Sequence, residues 1–324
     1  MRRQRAVLVM LLSLCAGCGV EVVRKSQPLG GTLDPDLMGS VAAAEQKYHG
    51  PSVGDSVGRG KLDPSASHEF DEVTLHPRVV SQAEKMTHGR SVTVRDALAR
   101  SGRYIDIIAR ELAREGVPPE LAYLPAIESH FSTKAEGAGT VGLWQFTSGT
   151  ARRYGLMVSP QVDERRDPEL ASRAAARLLR DLYDQFGRWE LVLAAYNAGP
   201  ARVQQALDRL PGADVWQVLD RALPAHTRSY VPKVLAVAAI ANEPERFGID
   251  GIEPLQPLTY ETFAVEEQMN VDTIASLSGC SRDTIAELNP ALKRGVTPKG
   301  GAEIRLPQGA KQRFAKNYRT RAAN

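Results

Sequence analysis

Glu128 stands four positions after Leu124, three after Pro125 and seven after Leu121, inside a segment from Pro119 to His130 that reads as helix. Residues at those spacings share one helix face, so the carboxyl falls on the apolar stripe rather than the solvated side. A carboxylate placed there loses hydration, which disfavours the charged form and raises the pKa, as a general acid at neutral pH requires. The same position suits a buried Glu paired with an Arg for structural reasons, and periodicity alone leaves both readings open. His130, two residues on, points off that face. Asp163, Glu164 and Asp167 are a second set of acids, but Arg165 and Arg166 are interleaved with them. That run reads as a salt-bridged turn and helix cap. The six histidines (His49, His68, His76, His88, His130 and His226) are scattered, with no two at ligand spacing, so neither a metal nor another cofactor is expected. The phosphate-binding pattern G-x-x-x-x-G-K does not occur.

The elements that must position Glu128 are helical. Thr93 to Asp96 resembles a capping box, with Leu98, Ile105, Ile108 and Leu112 following on one face until Gly116 and Pro118-Pro119. Asp167-Pro168 opens a further helix that carries Ala171, Ala175, Leu178, Leu182 and Phe186 at three- and four-residue steps and stops at Gly187. Trp189 to Asn197 reads as a helix closed by Gly199, Pro200 to Leu210 as another closed by Gly212, and Thr227 to Asn242 as a last apolar helix. No strand is expected between residues 73 and 248, so residues 73–250 read as an all-α domain. After a Pro254–Pro257 linker the pattern changes. Tyr260–Val265 alternates like a strand, Val271–Leu277 and Thr284–Leu288 read as short helices, and Glu303–Leu306 as a returning strand. Residues 258–308 are therefore a small βααβ module. Residues 309–324 carry Lys311, Arg313, Lys316, Arg319 and Arg321 without an acid and read as a solvated basic tail.

The N-terminus reads as a leader. Arg2, Arg3 and Arg5 precede the apolar run Ala6–Leu14, which is too short to span a bilayer and suits a signal-peptide core. Leu14-Cys15-Ala16-Gly17-Cys18 follows and resembles a bacterial lipobox. That resemblance implies cleavage after residue 17, lipidation of Cys18 and, with Gly19 next, retention at the periplasmic side of the outer membrane. Residues 19–72 are rich in Gly and Pro, with a single aromatic residue before His68, and read as a flexible tether. Cys280 would then be the one remaining thiol, so no intramolecular disulfide is expected. Forty-one basic and 38 acidic residues are too balanced for a dedicated nucleic-acid binder, and three of the basic ones lie in the leader.

Glu128-Ser129, Gly142-Leu-Trp-Gln-Phe146, Ala195-Tyr-Asn-Ala-Gly199 and Tyr230-Val-Pro-Lys233 occur in that order, and Asp163 to Asp167 lies between them. Together they resemble the soluble-lytic-transglycosylase-like domain, most of all its membrane-bound lytic transglycosylase D branch, from about His76 to Phe247. The resemblance implies a lysozyme-like helical fold acting on peptidoglycan glycan strands. It implies cleavage of the β-1,4 bond between N-acetylmuramic acid and N-acetylglucosamine, with Glu128 as acid and then base and a 1,6-anhydro ring as product. By the same carry-over Gln145 and Tyr196 line the sugar groove. Ser129, Trp144, Asn197 and Tyr230 are further candidates for substrate contact, Trp144 standing equally as groove wall or core. One departure is Gly137, where the family has Ser; Thr140 is the available substitute hydroxyl. The 258–308 module resembles a divergent LysM domain through Ile285-Ala-Glu-Leu-Asn-Pro290 and Pro307, with Val265-Glu-Glu-Gln268 where Gly-Asp-Thr-Leu is usual. The alternatives are a goose-type lysozyme-like hydrolase and a non-catalytic peptidoglycan-binding lipoprotein.

Overall fold

The computed structural model describes residue 70, residues 72–88 and residues 92–322. The leader with Cys18 lies outside the described residues, as does most of the 19–72 tether. Phe70, at the end of the segment read as tether, is fully buried and meets Trp189 edge-on at 6.4 Å, so the core starts earlier than composition implies.

The first domain is helical: α1 (Pro77–Thr87), α2 (Val92–Ser101), α3 (Ile105–Arg114), α4 (Leu124–Glu128), α5 (Ser148–Arg153), α6 (Pro168–Phe186), α7 (Trp189–Ala198), α8 (Pro200–Arg209), α9 (Val215–Ala222) and α10 (Ala225–Asn242). Its centre is α7, all ten residues of which are buried. Such a helix is buried on every side because α6, α8 and α10 pack around it. Local chemistry fixes where α6 begins and ends. Asp167 caps its start, accepting from the Glu169 and Leu170 amides at 3.0 and 2.9 Å, and Pro168 needs no partner at the first position. Gly187, at φ 65°, closes it through a bond from its N–H to Tyr183 O.

Three expectations for this domain need correction. The helix read from Thr93 to Leu112 is two helices, α2 and α3, broken at Gly102. A Cβ on Gly102 would lie 2.6 Å from Leu255 O, so the break admits the 249–258 linker, whose Leu255 amide donates to Ala99 O at 2.8 Å. The helix read from Pro119 to His130 is a 3-10 turn (Pro119–Tyr123) followed by the five residues of α4. Pro125 has no N–H to bond back into the preceding turn, and it starts a new helix instead. The domain is also not free of strands. Thr140–Val141 (β1) and Phe146–Thr147 (β2) pair antiparallel as a short hairpin around Gly142–Gln145.

The second module has the expected βααβ order. β3 (Glu261–Val265) pairs antiparallel with β4 (Ala302–Leu306), Phe263 opposite Ile304, and α11 (Val271–Ser278) and α12 (Arg282–Leu288) lie between them in the chain. The basic tail is not solvated. Lys311–Ala322 forms α13, whose Phe314 is fully buried against Phe263 at 5.0 Å, with Tyr318 stacked on Phe314 at 5.7 Å. Phe314 and Tyr318 are four apart and form the apolar stripe, while all five basic residues named above stay exposed. Among the described residues no helix is long and apolar enough to cross a membrane.

Candidate active site

Glu128 is the last residue of α4, where the chain leaves helical geometry at Ser129 (φ −143°). His130 and Phe131 follow at φ 50° and 56°, a left-handed conformation that costs non-glycine residues about 1–3 kcal/mol each. The turn is held from several sides. Arg100 Nε donates to His130 O at 2.6 Å, the Phe131 amide returns to Pro125 O at 3.2 Å, and the Phe131 ring is buried. Ser129 is buried and its Oγ donates to Leu143 O at 2.8 Å, tying this turn to the hairpin loop. Gln145 in that loop, at φ 48°, is the third non-glycine residue with positive φ among the described residues. His130 and Phe131 directly follow the Glu128–Ser129 pair, and Gln145 lies in the loop that Ser129 holds.

The Glu128 side chain is 8% exposed, and Tyr230 on α10 donates to its Oε1 at 2.5 Å. Burial pushes the carboxyl up from its ordinary 4.5 to about 7, against the opposing effect of the Tyr230 hydrogen bond. Burial and the neighbouring Glu128 carboxylate hold Tyr230 well above the usual phenol range, so it remains a donor. Tyr196 on α7 is raised by the same two causes, and its hydroxyl donates to Trp144 O at 2.6 Å. Of the two readings open for Glu128, the structure removes the Arg-paired one, because the partner at its carboxylate is a phenol. That pairing is what happens instead to Glu111, which is fully buried and accepts from Arg114 and Arg173 at 2.7 and 3.0 Å.

A cavity of about 320 Å³ opens at Tyr196. Gln145, Tyr196 and Asn197 are among its walls, as are Arg153, Leu178 and Pro200; Glu128 is not. Tyr196 connects the two, since it lines the cavity and also senses the Glu128 charge. The structure thus brings Glu128, Gln145, Tyr196, Asn197 and Tyr230 into one neighbourhood, with different tasks. The Gln145 amide is engaged within its own loop. Its Oε1 accepts from Thr140 Oγ1 at 2.7 Å, and its Nε2 donates to Gly142 O at 2.8 Å and more weakly to Ala135 O at 3.3 Å. Thr140 therefore does not stand in for the missing Ser: it is buried and spent on Gln145. Asn197 Oδ1 accepts from Thr227 Oγ1 at 2.9 Å, linking α7 to α10. Trp144 has no exposed surface and donates from Nε1 to Ser172 Oγ at 2.9 Å, so it belongs to the core and not to a sugar-facing wall. Ser129 likewise acts on the backbone and is not open to a ligand.

Arg165 is the residue that sequence reasoning undervalued. It is buried with Asp163, donating to both carboxylate oxygens at 2.8 Å, and its Nη1 reaches Phe146 O at 3.0 Å and Gly139 O at 3.3 Å. Burial acts to raise the Asp163 carboxyl, but Arg165 outweighs it and holds the group below its ordinary value. Gly142 sits against Arg165 so closely that a Cβ would lie 1.9 Å from Arg165 O. With φ at 84°, only glycine fits there. The other acids of the 163–167 run are engaged too, Glu164 accepting from the Met157 amide at 2.6 Å and Asp167 capping α6. Among the described residues, no group of three or more His, Cys, Asp or Glu side chains is placed to hold a metal ion.

The family described as "Transglycosylase SLT domain" matches residues 106–218, and the family described as "Lytic transglycosylase MltD, LysM-like domain" matches residues 259–323. The chain is 30% identical over 237 residues to the membrane-bound lytic murein transglycosylase D of Escherichia coli strain K12. That match takes in 70% of this chain and 50% of the relative, so the chain spans about half the relative's length. It is 32% identical over 144 residues to the soluble lytic murein transglycosylase of the same strain, covering 42% of this chain and 22% of that protein. Among solved structures, the 70 kDa soluble lytic transglycosylase of Escherichia coli is similar at a TM-score of 0.40 with 29% identity, over 44% of this chain and 24% of that one.

Proposed function

We propose that this chain is a peptidoglycan lytic transglycosylase, a reading supported by the match of residues 106–218 to the transglycosylase SLT domain family and of residues 259–323 to the LysM-like domain family of lytic transglycosylase MltD. The observation that carries the chemistry is a single buried carboxyl at the end of α4, poised near pH 7 and held by one phenol. Most glycoside hydrolases use two carboxylates, one as acid and one as nucleophile or base. Here the acids nearest in the sequence motifs, Asp163, Glu164 and Asp167, are bound to Arg165, to a backbone amide and to the start of α6. One carboxyl suffices if the substrate supplies the other groups.

In the proposed reaction Glu128 gives its proton to the glycosidic oxygen as the bond from that oxygen to the muramic acid anomeric carbon breaks. The sugar's own 2-acetamido oxygen supports the electron-poor carbon. Glu128, now a carboxylate accepting from Tyr230, takes the proton of the C6 hydroxyl as that oxygen bonds to the anomeric carbon. The acid is regenerated, a 1,6-anhydro ring forms, and no water is consumed. The cavity beside Tyr196 and Asn197 would receive part of the glycan. The test is mass spectrometry of sugars released from purified peptidoglycan by residues 19–324. The expected products are one water lighter than lysozyme products and have no reducing muramic acid end. Reducing ends would instead assign a hydrolase, and absence of products with the protein still pelleting with walls would assign a binding protein.

The match to a relative named as membrane-bound, together with the Leu14–Cys18 motif, supports anchoring at the periplasmic side of the outer membrane through lipidated Cys18. A Cys18→Ala chain is expected in the soluble fraction after cell breakage. If it remains with the membranes, the anchor lies elsewhere.

A further inference from the structure

The segment 158–167 has two faces, and each is bonded to a different part of the protein. On one face it holds the active-site hairpin. Arg165 donates to Phe146 O and Gly139 O, Arg166 pairs with Glu136 at the base of the hairpin, and Gly142 rests on the Arg165 carbonyl. On the other face it is held by the LysM-like module. The Asp163 amide donates to Ala291 O at 2.9 Å, the Lys293 amide donates to Gln161 O at 2.9 Å, and Val162 bridges to Leu292. The segment ends at Asp167, which receives both Nη atoms of Arg305 from β4, at 2.5 and 2.9 Å.

Arg305 is built for that contact. Its side chain is 12% exposed, its guanidinium lies 4.6 Å from the centre of the Tyr260 ring, and Tyr260 in turn bonds Glu169. Within the module, Asn289 fixes its backbone at both ends: Arg305 N donates to Asn289 Oδ1 and Asn289 Nδ2 donates to Arg305 O, each at 2.8 Å. Asn289 belongs to the Ile285–Pro290 motif that marked this module in the sequence, and Ala291, Leu292 and Lys293 follow it directly. The hydrogen bonds just described between the module and the 158–167 segment thus come from residues in or directly after this motif, or from Arg305, which Asn289 holds. A two-point Arg–carboxylate pair fixes direction as well as distance, and at this depth it is little screened by solvent.

We infer that Arg305 is a positioning residue for the active-site hairpin, acting through Asp167 and the 158–167 segment, so that the LysM-like module sets the geometry around Glu128. The inference rests on the transglycosylase reading for its kinetic arm, while the structural linkage is read separately. The assigned effect is on turnover, because small displacements of a positioned group cost rate steeply. In the full chain, Arg305→Ala is expected to lower kcat about tenfold with KM within about twofold and binding to walls unchanged. Hydrogen exchange of the 136–147 amides should quicken about tenfold in the same variant. Arg305→Lys, which keeps the charge without the fork, should fall between, and it replaces Arg305→Ala if that protein does not fold. In an Arg166→Ala background the Arg305→Ala loss should be smaller than in the parent, since one of the segment's links to the hairpin is already cut while those of Arg165 and Gly142 remain. Unchanged exchange in 136–147, faster exchange with unchanged kcat, or strict additivity with Arg166→Ala would each overturn the inference. A parent chain that makes no 1,6-anhydro product refutes the function proposed above instead, and the exchange arm still decides the linkage.

Discussion

Glu128→Gln is expected to lower glycan cleavage by at least about a thousandfold while leaving attachment to purified walls unchanged. The substitution keeps the shape of the side chain, and the Gln Oε1 can still accept from Tyr230, so the end of α4 and the turn through His130 and Phe131 stay as they are. What it removes is a proton that can be given and taken back. General acid–base catalysis by a positioned group contributes on the order of 10²–10⁴-fold for each role, and in the proposed reaction one group fills both roles in succession. The measurement is the release of soluble muropeptides per unit time, with pelleting of the protein as the control. Cleavage within tenfold of the parent would remove Glu128 from the chemistry. Loss of both cleavage and pelleting would point to a folding defect, which a thermal melt identifies.

The pH dependence follows from the same carboxyl and is expected to be nearly as large. Burial raises Glu128 to about 7, and only the protonated form can donate to the glycosidic oxygen. Activity should therefore be on its plateau well below pH 7 and decline as pH rises through that value. By pH 9 about 1% of the acid is protonated, which sets a loss of about a hundredfold in kcat/KM. Tyr230→Phe tests the cause. The phenol hydrogen bond stabilises the carboxylate and so holds the pKa down; removing it should move the descending limb to higher pH. A limb that stays in place in Tyr230→Phe, or a parent profile still rising through pH 8, would contradict the assignment.

Much of this site can be read from the order of residues, and the limits have physical reasons. The stripe containing Leu121, Leu124 and Glu128 correctly buries the acid, although the helix that carries it is a 3-10 turn joined to a five-residue helix at Pro125. Tyr230 lies 102 positions away, and its need for a partner when buried is visible in sequence while the identity of that partner is not. Gln145 and Trp144 sit in one motif, yet one lines a cavity and the other is wholly core, because the hairpin turns the chain between them. No periodicity reports that turn. The basic tail misled for a different reason. Five exposed cations dominate its composition, and the two aromatic residues that dock it are only a short stripe. Arg305 and Asp167 are 138 positions apart in separately patterned modules, so their pairing is a product of packing alone.

The raised carboxyl also bears on how the fold survives. In the unfolded chain Glu128 titrates near its ordinary 4.5, and in the folded chain near 7, so between those values the native state binds the extra proton. Stability must then fall as pH rises through that window and level off above it. The loss approaches about 3 kcal/mol, a sizeable fraction of what keeps a typical domain folded. Below pH 4 both states are protonated and the penalty vanishes. Glu128→Gln carries no such burden and should melt at a higher temperature than the parent at pH 8, with the gap closing toward pH 4. The carboxyl proposed as the acid is, by the same burial, a weak point in the architecture at alkaline pH.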